Sequence, residues 1–158
     1  MTTIAPPSGV ALRIAGATDA DVIVRELGRT DYATTWQAMQ AFTDARHAAI
    51  ADEIWLTEHP PVYTLGLAGR REHLLRDNGI ATLKVDRGGQ VTYHGPGQLV
   101  LYTLVDLRRA RLSIRDMVRR LEASVVDWLA SSGVAAYGKP SAPGVYVETK
   151  AGEAKIAA

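Results

Sequence analysis

The sequence predicts an α+β domain, a mixed sheet with flanking helices packed on one face. Short runs of β-branched and aromatic residues alternate with two long helical patterns, in an order too irregular for repeated βαβ units. The 158 residues are 47% hydrophobic and 22% charged, which suits one domain with a substantial core. One strand connection is crowded with glycine, at residues 88, 89, 95 and 97.

Residues 1–21 are rich in Ala, Pro and Thr and are expected to be a flexible N-terminal extension, leaving 22–158 as the folded part. A helix is predicted over 32–51, because Tyr32, Trp36, Met39 and Phe42 fall on one face. Residues 53–57 read as a strand stopped by Pro60 and Pro61, and 62–67 resume it. A short helical turn is expected at 72–77, ended by Asn78 and Gly79. Residues 82–86 and 98–107 are the next strands. The second helix is the clearest element: Ser113 caps it, Asp116 suits its first turn and Gly133 closes it. Its expected buried face is Val118, Leu121, Val125, Trp128 and Leu129. Late strands follow at 134–137, 144–147 and 155–158, the last two joined through Ala151, Gly152 and Glu153.

Between the strands at 82–86 and 98–107 runs Arg87-Gly88-Gly89-Gln90-Val91-Thr92-Tyr93-His94-Gly95-Pro96-Gly97-Gln98. A Gly-Gly pair admits positive φ and lets backbone N–H groups converge on an oxygen. Arg87 adds a planar donor fork and His94 a ring that titrates near neutral pH. Such a loop suits a carbonyl or carboxylate joined to an alkyl chain. A plain strand connection with an outward arginine and a hydrogen-bonded core histidine is the competing account, and the glycine pair by itself favours it.

Net charge is +1, so no global field draws the chain to nucleic acid or membrane. Arginines gather locally at 70, 71, 108, 109, 111, 115, 119 and 120, as solvated surface or as a dock for an acidic partner. There is no cysteine, which excludes disulfides. His47, His59, His73 and His94 are too scattered for a metal site. The first twenty residues lack a signal-peptide pattern, and no apolar run spans a bilayer, so a cytoplasmic location is expected.

The twelve-residue run resembles the signature of the lipoyl(octanoyl) transferase family. The resemblance runs from about Leu27 to the last residue. It takes in Glu58-His59-Pro60-Pro61-Val62-Tyr63-Thr64-Leu65-Gly66, Gly144-Val145-Tyr146-Val147 and Lys155-Ile156-Ala157-Ala158. It implies a biotin/lipoate protein ligase-like fold, akin to class II aminoacyl-tRNA synthetases and biotin synthetases. It also implies a reaction: octanoate moves from octanoyl-acyl carrier protein to a lysine of lipoyl domains through a cysteine acyl-enzyme, with no cofactor. The acceptors so implied are lipoyl domains of 2-oxoacid dehydrogenase complexes and the glycine cleavage H protein. By the same resemblance Lys155 is the catalytic lysine. Arg87, Gly88, Gly89, Gln90, Val91, Thr92, Tyr93 and His94 line the acyl site, with Ala158 beginning a further wall. Lys139 and Lys150 are expected to be ordinary exposed lysines. The family's cysteine has no counterpart, so the chain is expected to be a partial catalytic domain, open at its last strand and inactive alone. Two other readings stay open, an ATP-dependent lipoate or biotin ligase and a non-catalytic module that binds acyl chains or a carrier protein.

Overall fold

The structure, a computed structural model, describes residues 10–12, 22–74 and 78–158. They form two units divided after Val105. Most of the expected extension lies outside the described residues, but Val10–Leu12 form a strand, β1.

In the first unit β1 is followed by β2 (Val22–Arg29), α1 (Tyr32–Asp44), β3 (Asp52–Glu58), β4 (Val62–Leu65), β5 (Thr82–Lys84), β6 (Val91–His94) and β7 (Val100–Leu104). The sequence predicts one mixed sheet; these strands form two, ordered β1-β2-β3-β7 and β5-β4-β6. Each is mixed: β2 and β3 run parallel while β3 and β7 are antiparallel, and β4 is parallel to β5 and antiparallel to β6.

The sequence reading assigns no strand to 22–29. Arg25 and Glu26 interrupt its apolar run, and a register shift between Glu26 and Gly28, with Gly28 at φ +66°, breaks the alternation. Arg25 is nonetheless interior. Its guanidinium grips Glu53 of β3 with two bonds of 2.6 Å, and Trp55 Nε1 donates to the same carboxylate at 2.6 Å. Burial alone would raise the Glu53 carboxyl, but these donors outweigh it and hold the carboxyl below its ordinary range.

Asp31 caps α1 by accepting from Thr34 N–H at 2.9 Å. The helix ends at Asp44, short of the predicted 51, because Arg46 turns away to Asp52 at 2.7 Å and to the Leu104 carbonyl. Its apolar face packs as predicted: Tyr32 is buried with Val62 and Val85, Trp36 and Leu83 pack against them, and Phe42 meets Trp55 edge-on. Of the turn expected at 72–77, Arg71–His73 form a short 3-10 turn, and residues 75–77 lie outside the described residues.

The second unit comprises α2 (Ile114–Ser131), β8 (Ala136–Gly138), β9 (Val145–Thr149) and β10 (Gly152–Ala157), an antiparallel sheet ordered β10-β9-β8. Ser113 and Asp116 form a reciprocal capping box, as their spacing predicts. The expected apolar face of α2 needs correction: Leu129 is buried, while Leu121 is 40% and Trp128 66% exposed. The helix packs against β8 and β9, and its Glu122 accepts from the N–H of Gly144, just before β9. Lys150 and Ala151 turn the β9–β10 hairpin, and β10 pairs with β9 alone among the described residues. No helix among the described residues is long and apolar enough to cross a membrane.

Candidate acyl site

Gly66, at the end of β4, shapes the glycine-rich loop. A Cβ there would lie 2.5 Å from the carbonyl oxygens of both Gly88 and Gly89, a separation no side chain tolerates. The N–H groups of Gly66, Leu67 and Ala68 donate to the carbonyls of Gln90, Arg87 and Gly89. Arg87 completes the pattern from its own side chain, donating to Gly88 O at 2.8 Å, Thr64 O at 2.9 Å and Thr64 Oγ1 at 2.6 Å. The carbonyls of residues 87–90 thus all face donors of the protein itself. Among the described residues nothing accepts from the N–H groups of Gly88 and Gly89, both exposed, with Gly89 at φ +82°. Adjacent free amides beside a positive φ make a concavity of positive potential for an oxygen.

From Val91 the run is not loop but strand β6, which places Thr92 opposite Thr64 and His94 opposite Val62. A strand here was illegible because the Gly-rich flanks masked four residues of alternation. His94 Nδ1 lies 2.9 Å from Gln98 Oε1, and Nε2 lies 3.4 Å from Thr64 Oγ1. Tyr32, His59 and Arg87 complete its surroundings, the Tyr32 ring at 5.4 Å and the His59 ring edge-on at 5.9 Å.

Burial lowers the His94 pKa. The Gln98 hydrogen bond opposes that, and the charges of His59 and Arg87 reinforce it. His94 should therefore titrate below the ordinary imidazole value of about 6.5. Unfolded chain then takes up the proton first, so this contribution is complete above about pH 6.5 and declines as pH falls toward the folded value. Melting temperature against pH, compared with His94→Asn, checks this. An equal acid-side decline in both proteins would remove His94 as its source.

Four residues beside the site escape sequence reasoning: His59, Tyr102, Tyr32 and Thr64. His59 is fully buried, with Nδ1 2.7 Å from Thr30 O and Nε2 2.9 Å from the Tyr102 hydroxyl. Burial, with the neighbouring Tyr32, pushes the Tyr102 phenol far above its ordinary value, so it stays a donor. The HPP context of His59 was the available signal, but only the fold brings it beside His94.

The remaining candidates lie in the second unit. Lys155 stands opposite Tyr146 in the β9–β10 register and donates from Nζ to Pro143 O at 2.7 Å, 5.8 Å from the Tyr146 ring centre. Gly144 makes this posture available: it sits at φ +133°, and a Cβ on it would lie 2.1 Å from Lys155 Cε. The Gly144 N–H is fixed by Glu122 Oε1 at 2.6 Å, and the Tyr146 hydroxyl donates to Ala142 O at 3.1 Å. Lys139, expected to be simply exposed, is half-buried, paired with Glu153 and set over the Tyr146 ring at 4.7 Å. Lys150 is exposed as expected, and Ala158 lies exposed just past β10. Among the described residues no three His, Asp or Glu cluster as metal ligands.

Residues 31–158 match the family described as the lipoyl protein ligase A/B catalytic domain. An octanoyltransferase of Chromobacterium violaceum is 58% identical over 126 residues, covering 80% of this chain and 61% of that protein. Another, of Aromatoleum aromaticum, is 62% identical over 127 residues, covering 80% and 55%. The chain therefore spans roughly three-fifths of the length of these relatives. Among solved structures, the bi-partite lipoate protein ligase of Thermoplasma acidophilum superposes with a TM-score of 0.62 at 21% identity, over 84% of this chain and 52% of that one. A lipoate-protein ligase A bound with ATP gives 0.55 at 19% identity, over 77% and 51%. At such identities these two speak for the fold alone, which is the ligase-like α+β fold the sequence predicts. The family match over residues 31–158, together with relatives of one name sharing more than half their aligned residues, establishes that this chain belongs to the lipoyl protein ligase A/B catalytic domain family.

Proposed function

We propose that these 158 residues form the acyl-holding part of an octanoyltransferase of the cytoplasm. Its donor is octanoyl-acyl carrier protein, and its acceptors are lysines of lipoyl domains in 2-oxoacid dehydrogenase complexes and the glycine cleavage H protein. The observation that carries this is the loop in which every carbonyl from 87 to 90 is engaged while, among the described residues, the amides of Gly88 and Gly89 have no acceptor. Those amides suit the thioester carbonyl oxygen and, more strongly, the oxyanion that develops on it. Residues 87–94 line the acyl group. Full burial of an octanoyl chain is worth on the order of 5 kcal/mol at about 0.8 per carbon.

In this reading a cysteine thiolate attacks the octanoyl carbonyl, the bond to the carrier's sulfur breaks, and the carrier leaves as a thiolate. The acceptor amine then attacks the acyl-enzyme carbonyl, the bond to the cysteine sulfur breaks to regenerate the thiolate, and the amine loses a proton as it becomes an amide. Lys155 is the catalytic lysine. Its ammonium favours the thiolate over a thiol of ordinary pKa about 8.5, and it handles the proton of the incoming amine. No cysteine occurs in the 158 residues, so they do not turn over by themselves. The exposed arginines at 108, 111, 115, 119 and 120 suit an acidic carrier.

Amide NMR with octanoate tests the acyl site: Gly88 and Gly89 should shift saturably. Shifts elsewhere only, or shifts produced by ATP in place of octanoate, overturn the reading. A chimera continuing residue 158 with the remaining sequence of the Chromobacterium violaceum relative tests transfer. It should octanoylate a lipoyl domain from octanoyl-acyl carrier protein, and Lys155→Ala in it should abolish transfer while the protein stays folded.

A further inference from the structure

Arg87 is engaged from within. Its guanidinium contacts Gly88 O, Thr64 O and Thr64 Oγ1, and a guanidinium can only donate. The fully buried Thr64 hydroxyl accepts from Arg87, and that cationic donor polarises its O–H toward the neighbouring His94 Nε2, at 3.4 Å. The far end of the chain is fixed equally firmly. Gln98 Nε2 lies 3.3 Å from Tyr93 O, and a carbonyl can only accept, so the Gln98 amide must turn its nitrogen there and its oxygen to His94 Nδ1. Every proton then runs one way: Arg87 to Thr64, Thr64 to His94 Nε2, His94 Nδ1 to Gln98, Gln98 to Tyr93 O.

We propose that Arg87 is a positioning residue, which through Thr64 fixes His94 as the neutral Nδ1–H tautomer with Nε2 as an acceptor. Arg87 then holds the acyl site in shape from beneath. A neutral ring matters there because an imidazolium beside an alkyl chain would be a poorly solvated charge. That consequence rests on the acyl-transfer reading; the tautomer itself does not. His59 supplies an internal reference. Thr30 O can only accept, so Nδ1 carries the proton and Nε2 accepts from Tyr102, with Arg87 taking no part in either bond.

Nitrogen-15 NMR of the two imidazoles in the 158-residue chain, above the range where they protonate, reads the tautomers directly. Both rings should show a protonated Nδ1 and a bare Nε2. Gln98→Leu, at an exposed position, removes the acceptor at Nδ1, and His94 should keep its tautomer because Thr64 still donates to Nε2. Adding Arg87→Met removes the cationic donor that polarises the Thr64 O–H, so accepting from Nε2–H becomes competitive with donating to it, and His94 should lose its single tautomer while His59 is unmoved. Thr64→Val with Gln98→Leu is the second route and should also abolish the single tautomer. A protonated Nε2 in the parent chain, a switch already complete in Gln98→Leu, or no change in either double variant overturns the inference. Octanoate tested on the same samples separates the two ideas. Failure to bind with the proposed tautomer intact counts against the acyl-site reading alone, and binding with His94 in the other tautomer counts against this inference alone.

Discussion

Gly66→Ala should abolish octanoate binding while Gly88→Ala leaves the loop standing. The added methyl at 66 would sit 2.5 Å from two backbone oxygens and 2.9 Å from an Arg87 nitrogen, whereas a Cβ at 88 meets nothing within 4 Å. Backbone cannot swing aside as a flexible side chain does, so the loop must lift off β4. It then loses the bonds from Gly66, Leu67 and Ala68 that turn its carbonyls inward. Overpacking of this kind costs about 1–3 kcal/mol. The larger loss is functional, because released carbonyls would crowd the oxygen site that the amides of Gly88 and Gly89 form. Denaturant melts and amide NMR on both variants decide it. An octanoate response in Gly66→Ala equal to the parent's would show that the platform under the loop is not what makes the site.

This contrast also marks how far the sequence could be read. The glycine pair at 88 and 89 was legible because its composition departs from any ordinary strand connection. The tightest steric demand against backbone atoms falls elsewhere, on Gly66, which looks like an ordinary residue at the end of a strand. Local signals such as the Ser113 and Asp116 capping box were legible for the same reason: the interacting groups are three residues apart. Strand β2 was not, since Arg25 is tolerated inside only because Glu53 meets it from a strand 28 residues on. His59 is similar: its partners Thr30 and Tyr102 lie 29 and 43 residues away, and no periodicity joins them. Family resemblance pointed to Lys155, but the reason a lysine can lie where it does is again a glycine, Gly144.

In that second unit, Gly144→Ala should displace Lys155. A methyl at 144 would lie 2.1 Å from Lys155 Cε and 2.8 Å from both Nζ and Ala157 O, so the side chain and its strand cannot both stay. The backbone adds its own objection, because φ +133° is a region that residues with a Cβ rarely occupy, at a cost of about 1–3 kcal/mol. Glu122 holds the Gly144 N–H at 2.6 Å and resists relaxation of that angle, which leaves Lys155 as the group that must move. Lys155, already exposed, then loses the bond that ties its ammonium to Pro143 O, and its labelling by an amine-reactive reagent, referenced to exposed Lys150, should rise. In the chimera carrying a cysteine, transfer should fall much as it does in Lys155→Ala, since a displaced ammonium supports a thiolate no better than an absent one. Tyr146→Phe offers a milder probe: it removes only the hydroxyl that ties Ala142, next to the carbonyl that Lys155 uses. It should raise Lys155 labelling less than Gly144→Ala does, at little loss of stability. Unchanged labelling in Gly144→Ala, with the hairpin intact by amide NMR, would mean that Lys155 does not depend on the space this glycine leaves, and the packing account of its placement would have to be abandoned.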